Sequence, residues 1–133
     1  MVMELIPTAF QDLVSQDSRT FAYLATVMKD GSPQVTVVWF SWDGSHFLIN
    51  TAQGRTKDRN MSQRPSVALV IADPKDPYRF IQVRGKVVET TNAGADEHIN
   101  ELSLKYDHKP WVKRPGQIRV IYKIAPEHIS TNE

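Results

Sequence analysis

The apolar positions fall into short runs, and each run closes on a turn signal. PTAFQDLVSQDSR places Phe10, Leu13 and Val14 at helical spacing behind Pro7 and Thr8, which predicts a short helix. TFAYLATVM and QVTVVWFSW are rich in β-branched and aromatic residues, with the hairpin signal Asp30-Gly31 between them. Asp43-Gly44 joins the second run to HFLINT, so these three runs predict an antiparallel meander complete by Thr51. RTKDRNMSQ, free of Gly and Pro, predicts a short helix that stops at Arg64-Pro65. SVALVIA and RFIQVRGKVVETT predict two further strands about the turn DPKDPY, with Gly85 marking a bulge or sharp bend. Asn92 is the expected cap of a second helix, AGADEHINELSLKY, whose apolar stripe is Ile99, Leu102 and Leu104. DHKPWVKRPGQ reads as a loop, and QIRVIYKIA as a last strand ended by Pro126.

Six short strands with few helices predict a mainly β protein, a small antiparallel β-barrel forming one domain over residues 1–133. One run adds to this. Alternation in QVTVVWFSW puts Val35, Val37 and Trp39 on one face and Val38, Phe40 and Trp42 on the other, so both faces are apolar. A sheet with one wet face would alternate apolar and polar. Either a helix or another subunit must cover the second face. With so few helices available, a homodimer is the expectation.

Composition narrows the function classes. The chain has 133 residues, 41% hydrophobic and 23% charged, with net charge +1, so it lacks the basic excess of a protein that coats nucleic acid. The absence of cysteine excludes disulfides, thiolate metal sites and a Cys nucleophile. His46, His98, His108 and His128 are scattered without metal-ligand spacing, so no metal site is expected, and no G-x-S-x-G elbow is present. The opening MVMELIPTAF has no basic n-region, and no window reaches 18 apolar residues. A cytoplasmic protein without a membrane partner is expected.

The candidate chemistry sits in NTAQGRTKDRN, residues 50–60. Gly54 frees the backbone to turn, and a helix starting near Arg55 would aim its N–H groups and positive dipole end at an anion. Arg55 and Lys57 would add full charges, and Thr51 and Gln53 further donors. This is one reading, a phosphate clamp without the glycine spacing of a P-loop. The other is a solvated helix face. Trp111 lies in the loop KPWVKRPG among Lys109, Lys113 and Arg114, a setting for a flat anionic ligand. It would also suit single-stranded nucleic acid on a small barrel, bound with strong salt dependence.

Several stretches, in order, carry a resemblance. They are Gly31-Ser32-Pro33-Gln34-Val35-Thr36, Asp43-Gly44, Asn50-Thr51, Gly54 to Asn60, Arg64 to Leu69, Pro77-Tyr78-Arg79 and Val83-Arg84-Gly85-Lys86-Val87. From about Phe21 to Ile124 the chain resembles the pyridoxamine 5′-phosphate oxidase-like flavin and deazaflavin oxidoreductases. It is most similar to their small branch dependent on coenzyme F-420. The resemblance implies a split β-barrel homodimer with FMN or coenzyme F-420 between subunits, the branch favouring F-420. It implies ring contacts from Gln34, Val35, Thr36, Val37 and Val38, and pocket positions for Asn50, Thr51 and Gly54. It places Arg55 and Lys57 on the cofactor phosphate. Arg59, Lys113 and Arg114 suit the longer acidic tail of F-420, and Arg79 and Trp111 stand on the substrate side. Arg79 is followed by Phe80 where a true pyridoxamine phosphate oxidase has Gln, so the vitamin substrate is not expected. The implied activity is transfer of a hydride or two electrons to or from a small planar substrate. The alternative is a cofactor carrier without turnover.

Overall fold

The computed structural model describes residues 5–132. Met1–Glu4, part of the opening stretch in which no secretory signal is expected, and Glu133 lie outside the described residues. Among the described residues seven antiparallel strands form one sheet in the order β2-β1-β5-β6-β7-β4-β3. They are β1 (Ala22–Val27), β2 (Pro33–Val38), β3 (Ser41–Trp42), β4 (Phe47–Ala52), β5 (Ser66–Asp73), β6 (Asp76–Thr91) and β7 (Arg119–Asn132). A 3-10 helix spans Thr8–Val14, and α-helices cover α1 (Thr56–Gln63) and α2 (Ala95–Asp107). The mainly β barrel architecture follows the expectation. No helix among the described residues is long and apolar enough to cross a membrane.

The predicted meander does not form. QVTVVWFSW is two strands, not one, and the break at Trp39-Phe40 carries the chain from one end of the sheet to the other. The two terminal strands, β2 and β3, are therefore only two residues apart in sequence, which requires the sheet to curl round on itself. Leaving a ladder strands backbone polar groups, and these need new partners. The Tyr106 hydroxyl bridges the break: it donates to the Thr20 carbonyl (2.6 Å) and lies 3.5 Å from the Phe40 nitrogen, whose N–H donates to it, with the Phe40 carbonyl oxygen 3.4 Å away. Alternating apolar residues run straight through this break, so periodicity does not reveal it.

Both hairpins form at their Asp-Gly signals. Asp30 Oδ1 accepts the Ser32 N–H (3.0 Å), and Asp43 Oδ1 accepts those of Ser45 (2.8 Å) and His46 (2.6 Å). Inward-facing Leu24, Ile49, Leu69, Ile81, Val83, Tyr122 and Ile124 are each at most 1% exposed. Phe10, Leu13 and Val14 of the 3-10 helix complete that core. On the outer face of β4 and β7, α2 lays down Ala95, Ile99 and Leu102. Leu104, read as part of that stripe, is 44% exposed instead. The N-terminal residue of α2's cap is Gly94, and the Asn92 side chain donates to the Arg119 carbonyl (2.9 Å) rather than capping the helix.

Gly85 and Pro126 belong together. Pro126 does not end β7; it sits opposite Gly85 at a register shift, where a residue without an N–H is tolerated. The strands approach so closely that a Cβ on Gly85 would overlap the Ala125 carbonyl oxygen and stand 3.3 Å from Ile124 Cγ2. Gly85→Ala is expected to lower the unfolding free energy by about 2 kcal/mol in urea denaturation. An unchanged midpoint would mean that the bulge relaxes freely.

Candidate functional site

The turn after β4 is built by one carboxylate. Gly54 adopts φ +92°, a region that excludes most side chains. Its N–H donates to Asp58 Oδ2 (2.9 Å), four residues on, in the first turn of α1. Asp58 Oδ1 accepts the Tyr122 hydroxyl at 2.5 Å, tying the start of α1 to the barrel wall. The α1 N-terminus, with Arg55 as its cap residue, is thereby fixed beside the outer face of β4.

A cleft of about 220 Å³ opens there, lined by Val37, Val38, Trp39, Asn50, Arg55, Lys57, Ile99, Leu102 and Trp111. Six of the residues singled out from the sequence thus converge from β2, β4, α1 and the loop before β7: Val37, Val38, Asn50, Arg55, Lys57 and Trp111. The remaining ones do not line it. Gln34 and Thr36 are half-buried further back along β2, and Val35 is 63% exposed. Thr51 faces the core, and its hydroxyl has no hydrogen-bond partner among the described residues. Gly54 shapes the turn.

Arg79 is a correction of place. Its guanidinium holds Asp12 (2.6 Å) and Asp73 (3.0 Å), donates to the Ala9 carbonyl (2.6 Å), and lies 5.1 Å from the Phe10 ring centroid. It clasps the 3-10 helix to the β5–β6 hairpin and takes no part in the cleft. Its neighbour in sequence gave no hint of that pairing, because Asp12 is 67 residues away. Lys113 stands 3.4 Å from the Asp96 carboxylate, while Arg59 is exposed on another side of α1.

Sequence reasoning missed Arg119 and His98. Arg119 opens β7 as an isolated cation in an apolar run, and it is only 6% exposed. Its Nε donates to Asn50 Oδ1 (2.8 Å), its Nη1 to Gln117 Oε1 (3.2 Å), and its guanidinium lies 5.0 Å from the Trp111 ring centroid. Among the described residues no carboxylate forms an ion pair with Arg55, Lys57 or Arg119. Burial, then the Arg55 and Arg119 charges, pulls the Lys57 pKa below the ordinary lysine value. Burial, then Arg55, pulls Arg119 down to about 10. Both shifts come first from burial and then from neighbouring positive charge, with Asp96 the carboxylate that opposes them at Arg119.

An aromatic row walls the cleft. Trp111 meets Trp39 edge-on (6.5 Å), Trp39 stacks on Tyr106 (5.3 Å), and Tyr106 stacks on Phe21 (5.4 Å). Below it, buried His98 joins Asn50 to Ser41. Burial, then the Arg119 charge, lowers the His98 pKa from 6.5 to about 4. Between those two values the unfolded chain takes up a proton that the folded chain refuses, so stability falls as pH drops through that window. The unfolding free energy of wild type is expected to decline more steeply from pH 6.5 to 4 than that of His98→Gln. Parallel curves would assign the loss to other groups.

A curled antiparallel sheet with a cationic, aromatic-walled cleft at the start of α1 defines a split-barrel protein. The chain belongs to the pyridoxamine 5′-phosphate oxidase family, whose model matches residues 6–133. It is similar to a solved F-420 reductase at 33% identity, covering 94% of this chain and 98% of that one, with a TM-score of 0.83. It is also similar to a conserved hypothetical protein from Mycobacterium tuberculosis at 20% identity, covering 100% and 88% of the two chains, TM-score 0.72. General stress protein 26 from Bacillus anthracis matches at 20% identity over 92% and 90%, TM-score 0.70. The last two share the fold.

Proposed function

We propose that this chain is an oxidoreductase that holds the phosphate of FMN or coenzyme F-420 against Arg55 and Lys57 and presents the cofactor ring to a small planar substrate. The observation that carries this reading is the group of three cations, Arg55 and Lys57 lining the cleft and Arg119 against its Trp111 wall, with no ion-paired carboxylate among the described residues. An unneutralised cation cluster is costly unless an anion completes it. A phosphate does so, with bidentate bonds from Arg and a point charge from Lys. The α1 N-terminus adds its dipole in the same direction. The 33% identical F-420 reductase supports the deazaflavin over FMN.

The bound cofactor would supply the hydride chemistry. The protein's part is binding, orientation and exclusion of water. Val37, Val38 and Trp39 offer apolar surface to a flat ring, and Trp111, fixed by its backbone N–H to Asn100 Oδ1 (2.9 Å), closes the other side. No titrating side chain in the cleft is needed as an acid or base.

One chain leaves the site unfinished. Its cleft of about 220 Å³ falls short of the roughly 300–1,000 Å³ typical of sites for ligands this size. Val37 belongs both to the cleft and to an exposed apolar face with Val35 (63% exposed) and Tyr23 (45% exposed), which pairs directly with Val37. A second copy of the chain is the occupant proposed for that face, completing the slot around the ring.

The test is a visible absorption spectrum of purified protein after separate incubation with FMN and with coenzyme F-420, followed by chemical reduction of the bound cofactor, removal of excess reductant and addition of an electron acceptor. A perturbed spectrum with one cofactor and its reoxidation by the acceptor support an oxidoreductase. A bound cofactor that no acceptor reoxidises makes the protein a carrier. No perturbation with either removes the proposal.

A further inference from the structure

A hydrogen-bonded line runs from the cleft into the molecule: Arg119, Asn50, His98, Ser41. Its protons can be assigned from geometry. The Asn50 carboxamide offers Oδ1 to Arg119 Nε–H (2.8 Å) and places Nδ2 against the Ala95 carbonyl (2.8 Å). The reverse orientation would set oxygen against oxygen and N–H against N–H. Nδ2 therefore also donates to His98 Nδ1 (3.2 Å), which must be the bare nitrogen of the ring. The proton is then on Nε2, which donates to Ser41 Oγ (2.9 Å). One buried imidazole thus shares with the Ala95 carbonyl the holding of a carboxamide from β4 between α2 and β3.

His98 does not line the cleft; Asn50 does. Arg119, in turn, is held by Asn50 and lies over Trp111, so one carboxamide sets the buried charge beside the aromatic wall. Of the five N–H donors of that guanidinium, those with named protein partners are on Nε and Nη1, and Nη2 has none among the described residues. The bond from Nε to Asn50 is the shorter of the two, so it is the main polar anchor of the guanidinium.

We propose that His98 is a positioning residue for the cleft, acting through Asn50 to hold Arg119 against Trp111. The inference rests on the phosphate reading above for its effect on binding, but the positioning itself does not. The groups facing His98 are consistent with a fixed neutral ring. Arg119 stands on one side, and Glu101 and Lys105 share with Ser41, Trp42 and Leu102 the cavity of about 420 Å³ on the other.

Two arms test it, on wild type, His98→Leu and His98→Gln. Leu removes both hydrogen bonds, whereas Gln can accept from Asn50 through Oε1 and donate to Ser41 through Nε2. In the first arm, NMR follows the Arg119 Nε–H signal without any cofactor, assigned with Arg119→Lys. A slowly exchanging signal is expected in wild type, lost in His98→Leu and recovered in His98→Gln. Its survival in a folded His98→Leu overturns the inference. In the second arm, affinities are compared for FMN with riboflavin, and for coenzyme F-420 with its phosphate-free deazaflavin chromophore. His98→Leu should weaken the phosphorylated member about tenfold, with the phosphate-free one within about twofold and Gln restoring most of the loss. Equal losses for both members would make His98 merely structural and overturn its positioning role. If wild type itself prefers neither phosphorylated member, the phosphate reading fails, while the NMR arm still decides the role of His98.

Discussion

Replacing Arg55 and Lys57 together by alanine is expected to weaken binding of the phosphorylated cofactor on the order of 100-fold, from two lost charge-assisted hydrogen bonds. The phosphate-free ring should bind as before, because Val37, Val38, Trp39 and Trp111 are untouched. The fold should not suffer. Arg55 is exposed, and neither cation has an ion pair among the described residues. Removing Arg55 also takes away one of the positive charges that lower the pKa of Arg119, so the thermal midpoint should stay level or rise. Isothermal titration and a melting curve on the same preparation separate the two effects. Undiminished affinity for the phosphorylated ligand would end the clamp. A falling midpoint would show instead that the cations stabilise the start of α1.

The second large effect concerns the crossover between the ends of the sheet. Phe40 is 0% exposed and packs on Phe47 with ring centroids 5.9 Å apart, and Lys105 Nζ stands 5.5 Å from its ring centroid. It is the only anchor between β2 and β3 that reaches the core, since Trp39 points to the aromatic row instead. Phe40→Ala should cost about 3–5 kcal/mol in urea denaturation, the range for emptying a buried aromatic position. The loss should also loosen the cleft, because Trp39 and Val38 adjoin the freed segment. A change below about 1 kcal/mol would mean that the crossover is held by the Tyr106 hydroxyl rather than by packing.

Much of the wall was legible in the residues. The Asp30-Gly31 and Asp43-Gly44 hairpins, α1, α2, and the bulge at Gly85 all rest on chemistry within a few residues, which a sequence displays directly. The 3-10 helix came through as apolar spacing at Phe10, Leu13 and Val14. The end of β7 did not. Pro126 is a strand breaker by rule, yet it lies within the strand because a partner 41 positions earlier, Gly85, makes room for it. Arg79 likewise looked available until its carboxylates arrived from Asp12 and Asp73.

What the sequence determined by itself was the β class, the placing of most elements, and the cations Arg55 and Lys57 on a turn after a strand. These follow from local periodicity, turn chemistry and charge. The tertiary structure alone decided that QVTVVWFSW would break and bridge the two ends of the sheet, and that Arg119 would stand buried beside Asn50 and Trp111. Both outcomes depend on partners far away in the chain: the Tyr106 hydroxyl bridges Thr20 and Phe40 at the break, and His98 and Ala95 together hold the carboxamide. Such pairings are settled by which surfaces the curled sheet brings together, and no local pattern encodes that distance.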